Sequence, residues 1–402
     1  MGGIQSCFSP APYVELKANN VNDTILTYYT NLASAQLGST LVSASDQHYG
    51  NAKHMLRDDN PTPSHQRRDG THDGWQTKRH LKDASAIVRL GSHGHIYGIE
   101  INTIGFDDAA PNTATVEAKR EKAPHEWDTL LSDVPIKPDS HNLFLLGTSD
   151  HVYSEVKLTI YPGSGVARFR CYGDAVPSWG PNVHSVNLAS AKNGARIIRW
   201  TDIKHSNNPN ILLDHSKSAE DGWETPHSRT NPRNDFIVVQ LATPGILNHV
   251  VVSTEHFIGN APESISVDGC YSTEEDPAYD YSANWQELVT QAPVEPNNKN
   301  NKFPIASDQV FSHLRLTIHP DGGIQHFSAM GRPAPKPVQD KKKQIEEEQE
   351  SSSEEEVSVP QQRKTRSRST TAKRRTRAAA EKAVETIQDL APGPRRKKQR
   401  ST

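Results

Sequence analysis

Cysteine is scarce in this chain: Cys7, Cys171 and Cys270 are the only three among 402 residues. An odd, widely spaced set makes neither a disulfide framework nor a cysteine-based zinc site. A reducing, intracellular compartment is the expectation, cytoplasmic in the first instance. Apolar residues are also few, at 34% of the chain, and no apolar run approaches the length of a membrane-spanning helix. No apolar stretch of the signal-peptide kind follows the N-terminus. Before residue 335 no helical apolar periodicity of useful length is found, which argues against a helical fold for most of the chain.

Charge is unevenly placed. Residues 336–402 hold 18 Lys and Arg against 11 Asp and Glu, leaving 27 against 37 in the rest. An acidic body therefore carries a basic tail. From 333 to 402 almost nothing apolar is available to bury, so a disordered tail is expected. Its runs Lys373–Arg377 and Arg395–Arg400 have the composition of nuclear-import or nucleic-acid patches, or of a solvated tail without a reader. An import receptor or a nucleic acid is the partner that the first reading implies, with the nucleus as a second location. The Ser351-Ser352-Ser353-Glu354 run offers phosphorylation sites. At the other end, Gly2 and Ser6 fit a myristoylation pattern, with Cys7 available for a second acyl group. Membrane contact is expected only if Gly2 is acylated, and only marginally from one chain.

What is present is a doubled unit. Asp73-Gly74-Trp75-Gln76-Thr77 reappears as Asp221-Gly222-Trp223-Glu224-Thr225. Ile87–Leu90, Gly94, Ile99–Thr103 and Ala110-Pro111 follow the first copy. Val238–Leu241, Gly245, Val250–Thr254 and Ala261-Pro262 follow the second, and from the glycine onward the copies run without a gap. Asn31–Ser34 matches Asn187–Ser190, and Val156–Ile160 matches Leu314–Ile318. A repeat of this length is a duplicated domain. Short alternating runs such as Ile99-Glu100-Ile101-Asn102 and Leu314–Ile318, punctuated by Gly, Pro, Asn and Asp, read as strands. The expected fold is all-β: two tandem sandwiches of Greek-key or jelly-roll type. The expected segments are a flexible start at 1–20, repeat 1 at 21–175, repeat 2 at 176–332, and the disordered tail at 333–402.

The doubled Asp-Gly-Trp-(Glu/Gln)-Thr unit resembles the signature of the allantoicase, or allantoate amidinohydrolase, family. So do Gly245–Thr254 and His256–Pro262, and the repeat ends Tyr161-Pro162-Gly163 and His319–Gly323. The resemblance spans roughly residues 20–331 and leaves out the tail. It implies tandem jelly rolls similar to galactose-binding-like modules. It also implies hydrolysis of allantoate to ureidoglycolate and urea in purine (allantoin) degradation, and a homo-oligomer of unstated count. No cofactor is expected.

Allantoate carries one carboxylate and two ureido groups on one carbon. Its cleavage calls for a cation on the carboxylate, a proton donor to the leaving nitrogen and a base for water. Glu224 and Asp221 are the candidate catalytic carboxylates. Trp75, Lys78, Arg79, Trp223, Arg229, His256, Asp46 and Asp202 are candidate substrate contacts. Each also has a structural reading: the tryptophans as core, the aspartates as turn residues, His256 as a structural histidine. No metal site is expected, because His48, His54, His72 and His80 match no standard spacing, and His93 with His95 lacks a third ligand.

The two copies differ from the family pattern in different places. Repeat 1 has Gln76 where repeat 2 has Glu224, and it keeps Lys78-Arg79 where repeat 2 has Pro226-His227. The closing arginines survive as Arg168 and Arg170 but become His326 and Ser328. The alternative to an active hydrolase is therefore a catalytically degenerate binding module whose basic tail directs it to the nucleus or to a nucleic acid.

Overall fold

Two strands of equal length, each of 19 residues, organise the two halves: Ala84–Asn102 and Asp235–Ser253. The protein is described here from a computed structural model covering residues 13–63, 67, 71–180, 183–204, 209–214, 218–227 and 234–334. In the first half the strands are β1 (Tyr13–Leu16), β2 (Thr30–Asn31), β3 (Thr40–Ala44), β4 (Trp75–Gln76), β5 (Ala84–Asn102), β6 (Thr113–Arg120), β7 (Trp127–Pro135), β8 (His141–Leu146), β9 (Tyr153–Tyr161), β10 (Gly165–Val166) and β11 (Arg168–Ala175). In the second half they are β12 (Val186–Asn187), β13 (Arg196–Trp200), β14 (Trp223–Glu224), β15 (Asp235–Ser253), β16 (Ser264–Cys270), β17 (Gln286–Pro293), β18 (Asn301–Pro304), β19 (Phe311–His319), β20 (Gly323–Ile324) and β21 (His326–Pro333). Among the described residues the only helices are short 3-10 turns.

The long strand belongs to both layers of its sandwich. The start of β5 pairs with β3 and β9, and β9 passes on to β6 and β7. The end of β5 pairs with β8 and β11. Pairing with β9 breaks between Arg89 and Gly94, where the chain passes from one layer to the other. Repeat 2 does the same. The start of β15 pairs with β13 and β19, its end with β18 and β21, and the break falls between Gln240 and Gly245. All these pairings are antiparallel, and the two halves are jelly-roll-like sandwiches.

Alternation explains the core. Ala84, Ala86 and Val88 of β5 are fully buried, as are their neighbours Val156, Leu158 and Ile160 of β9 and Ala114, Val116 and Ala118 of β6. Burying each Val, Leu or Ile side chain contributes about 1.5–3 kcal/mol, so this ladder supplies much of the drive to fold.

One expected boundary needs correction. The start was expected to be flexible to residue 20, but Tyr13–Leu16 is a strand on β8, with Tyr13 opposite Leu146 and Leu16 opposite Leu143. The Tyr13 ring meets Phe144 edge-on at 5.7 Å, which gives this edge strand an apolar anchor. The tail expectations fall on residues 335–402 and the lipid expectation on Gly2 and Cys7, all outside the described residues.

Candidate functional site

The end of β5 and the start of β11 carry alternating polar and apolar residues on facing strands. Phe169 lies opposite Ile101 and Cys171 opposite Ile99, and all four are buried in the core. The other face bears Glu100 opposite Arg170 and Asn102 opposite Arg168. That face is buried too: Glu100 and Arg168 are 0% exposed and Arg170 is 8%.

Buried charges need partners, and these have them. Oε2 of Glu100 accepts from Arg170 Nη1 at 3.0 Å and from the Tyr172 hydroxyl at 2.9 Å. Oε1 lies 2.6 Å from His141 Nδ1 and accepts from Asn102 Nδ2 at 3.1 Å. Burial pushes the Glu100 carboxyl up, but Arg170, His141 and Tyr172 outweigh it and bring the group down to about 2. The same carboxylate and burial push the Tyr172 phenol well up. Arg168 uses all five guanidinium donors. They go to the Asp59 carbonyl and carboxylate, the Asp73 carbonyl and carboxylate, and the Ala167 carbonyl. Asp73 also accepts from Arg57 and from the Thr62 N–H. Its carboxyl, though raised by burial, is held below its ordinary value by Arg168 and these bonds.

Above this cluster lies a cavity of about 1030 Å³ lined by both repeats. Gln36, Asp58, His141 and Arg170 come from the first, Arg196 and Asp221 from the second. Gln36 ties two carboxylates across the junction. Its N–H donates to Asp58 Oδ2 at 3.2 Å and its Nε2 to Asp221 Oδ1 at 3.3 Å. Burial raises the Asp58 carboxyl above its ordinary value, against the pull of Ser34, the Gln36 N–H and Arg170. A second tie runs through Arg196. It sits over the Tyr29 ring at 5.2 Å, reaches Asp174 at 3.3 Å, and donates to Gln240 at 3.0 Å and Glu275 at 2.7 Å.

Of the candidate catalytic and substrate-contact residues, Asp221 is the one that lines this cavity, and of the closing arginines Arg170 does. Trp75 and Trp223 are fully buried, and their indole N–H groups donate to the carbonyls of Asp46 and Asp202, each at 2.8 Å. They have no solvent-facing surface, so they peg a loop into the core and do not wall the cavity. The Asp46 carboxylate accepts from the N–H groups of His48 and Lys78, and that of Asp202 from Ile203 N–H. Lys78 and Arg79 are exposed and do not line the cavity. Glu224 is held on β14, where Oε1 accepts from Lys204 Nζ and Asn260 Nδ2, each at 2.9 Å, and it too is absent from the lining. His256 is exposed at φ 69°, with its N–H on Asn297. Arg229 lies outside the described residues. Neither Glu224 nor Arg79 lines this cavity.

Glu100, His141, Asp58, Tyr172 and Arg196 were not singled out by sequence. A signal for the first was available in the difference between the copies. The pairing of β15 with β21 puts Val251 opposite Ser328 and Ser253 opposite His326, where repeat 1 has Glu100–Arg170 and Asn102–Arg168. This buried Glu100–Arg170 and Asn102–Arg168 pairing belongs to repeat 1 alone. Among the described residues no group of three His, Cys, Asp or Glu side chains is arranged to hold a metal ion.

The family model for the allantoicase repeat matches twice, over residues 30–176 and 186–334. The chain belongs to the allantoicase family. A probable allantoicase of Photobacterium profundum is 33% identical over 319 residues, covering 75% of this chain and 96% of its own length. An allantoicase of Neurospora crassa is 29% identical over 354 residues, covering 83% of this chain and all of its own. The crystal structure of the Saccharomyces cerevisiae allantoicase superposes with a TM-score of 0.68 at 28% identity, covering 80% of this chain and 100% of that one. In this allantoicase-family chain both repeat matches end within the described sandwiches, and the basic tail lies beyond them.

Proposed function

We propose that the chain hydrolyses allantoate to ureidoglycolate and urea, and that the reaction takes place in the cavity between the repeats. The supporting observation is that this cavity joins polar groups of both repeats in a chain whose two halves both match the family. Allantoate is a small anion with many N–H donors. Arg170 lines the cavity wall with Arg57 and Arg196, and it is the cation given to the substrate carboxylate. Its Nη1 is fixed by Glu100, while Nη2 makes only long contacts, 3.3 and 3.5 Å, to the carbonyls of Asp58 and Asp59. Bonds this long are weak, so an entering carboxylate replaces them at little cost. Asp58, with its proton affinity raised by burial, is suited to protonate the departing ureido nitrogen. Asp221 accepts from the ureido N–H groups and orients the substrate against it.

The test is urea release from allantoate by purified full-length protein. Asp58→Asn is expected to lower kcat by about 10²–10⁴-fold, since general acid–base steps contribute on that scale; Asp221→Asn is expected mainly to raise KM, and Glu224→Gln to change little. Folded wild-type protein that yields no urea overturns the reading. A loss confined to Glu224→Gln moves the site to β14.

A further inference from the structure

We propose that His141 is the general base of the junction cavity and that Glu100 is the positioning residue that sets its tautomer. The inference rests on the reading that this cavity cleaves a ureido substrate. His141 begins β8 and lies opposite Asn102 on β5, so its ring comes to rest beside the Glu100 carboxylate. Nδ1 is 2.6 Å from Oε1. An ionised carboxylate only accepts, so Nδ1 carries the proton. Asn102 Nδ2 lies 3.2 Å from Nδ1 and donates to the same oxygen, so two donors sit side by side on Oε1.

The other ring nitrogen, Nε2, has no hydrogen-bond partner among the described residues, and His141 is part of the cavity lining. In the neutral ring Nε2 therefore carries a lone pair at the edge of the space where substrate and water sit. Glu100 serves this purpose only while ionised, and the surrounding donors keep it so at every pH of interest. The groups facing this pair are Arg170 and Tyr172 from β11, the 58–59 loop that holds Arg170, and, across the cavity, Asp221 and Arg196.

The step balances with one water. Its oxygen bonds to the central carbon of allantoate as one of its protons moves to Nε2. The bond from that carbon to one ureido nitrogen breaks, its electron pair stays on nitrogen, and the Asp58 carboxyl supplies the proton that completes urea. Return of the Nε2 proton to Asp58 through solvent restores both groups. An elimination followed by hydration uses the same groups, with the remaining ureido nitrogen giving up its proton as urea leaves and regaining one when water adds.

The experiment is steady-state urea release from allantoate across pH with the full-length chain. His141→Ala is expected to lose about 10²–10⁴-fold in kcat with KM little changed, and added imidazole to restore part of it. Glu100→Gln keeps an acceptor but also lets an amide donor face Nδ1. It is expected to mix the two His141 tautomers in ¹⁵N spectra and to lower kcat with KM little changed, a signature that a purely structural defect does not produce. Should a variant fail to fold, the ¹⁵N spectrum of the wild-type histidines decides, with the neutral His141 ring expected as the Nδ1–H tautomer. An active wild type whose His141→Ala variant keeps its kcat overturns the proposal alone, as does an Nε2–H tautomer. A wild type that releases no urea overturns it together with the assignment of the cavity.

Discussion

Glu100 and Arg170 show what a buried charge demands of its neighbours. Each would be costly alone in this interior, and the pair persists because the Glu100 oxygens are met by Arg170, Tyr172, His141 and Asn102. Repeat 2 fills the equivalent positions with Val251 and Ser328 and needs none of this. Replacing one member only is therefore the damaging change. Glu100→Val is expected to destabilise the protein by about 3–5 kcal/mol, the usual consequence of leaving a buried charge unpaired. Adding Arg170→Ser, which reproduces the repeat 2 pair, is expected to recover part of that loss. The same carboxylate makes an acid-sensitive contribution. Its ordinary value is 4.5 and its folded value about 2, so below 4.5 the unfolded chain binds the proton and the folded one does not. Its contribution is complete above pH 4.5 and disappears as pH falls toward 2. Urea-unfolding free energies at pH 7 and at successively lower pH check both points: the gap between wild type and Glu100→Val should narrow with acid. Equal stability at pH 7 would show that the pair contributes nothing.

At the scale of elements, the doubled Asp-Gly-Trp-x-Thr stretch is a seam. β4 pairs with β10, Trp75 opposite Val166, and β14 with β20, Trp223 opposite Ile324. Thr77 and Thr225 continue each seam through N–H bonds to Ser164 and Gly322. The glycine allows the close approach: a Cβ on Gly74 would sit 2.3 Å from the Val166 carbonyl oxygen. Gly259, in the turn whose Asn260 holds Glu224, would meet nothing within 4 Å. Gly74→Ala is thus expected to destabilise by about 1–3 kcal/mol or more, and Gly259→Ala by no more than about 0.5 kcal/mol. Thermal or urea melts of the two variants decide it, and equal effects would sink the account. This seam also marks how far the sequence could be read. Alternation in Ile99–Asn102 and the repeat spacing made the strands and the duplication legible, because period-2 patterning reports burial directly. The site was less legible. Glu100 and Asn102 look like the solvent side of a half-buried strand, and only the packing of a second layer buries that face. Asp58 and His141 come from a loop and a strand end whose convergence depends on the three-dimensional path of β5. The tryptophans drew notice because they recur, but recurrence here reports the seam.

On the scale of the whole molecule, duplication has produced unequal halves. Repeat 1 keeps the charge cluster, and repeat 2 contributes Asp221 and Arg196 across the junction. The residues given roles in the cavity all fall between Gln36 and Asp221, and the family match stops at residue 334. The 18 basic residues beyond it are then free of any catalytic requirement. Removing residues 335–402 is expected to leave kcat/KM for allantoate unchanged, as measured by urea release. We propose, from the composition of Lys373–Arg377 and Arg395–Arg400, that the tail directs the chain to an anionic or nuclear destination. Imaging the full chain beside the shortened one tests this, with nuclear accumulation expected only for the full chain. If a nucleic acid is the partner, its affinity for the full chain should fall steeply with salt, since each neutralised phosphate releases counterions. An identical distribution of the two forms together with a flat salt dependence would remove that role, while a fall in kcat/KM on truncation would bring the tail into the chemistry.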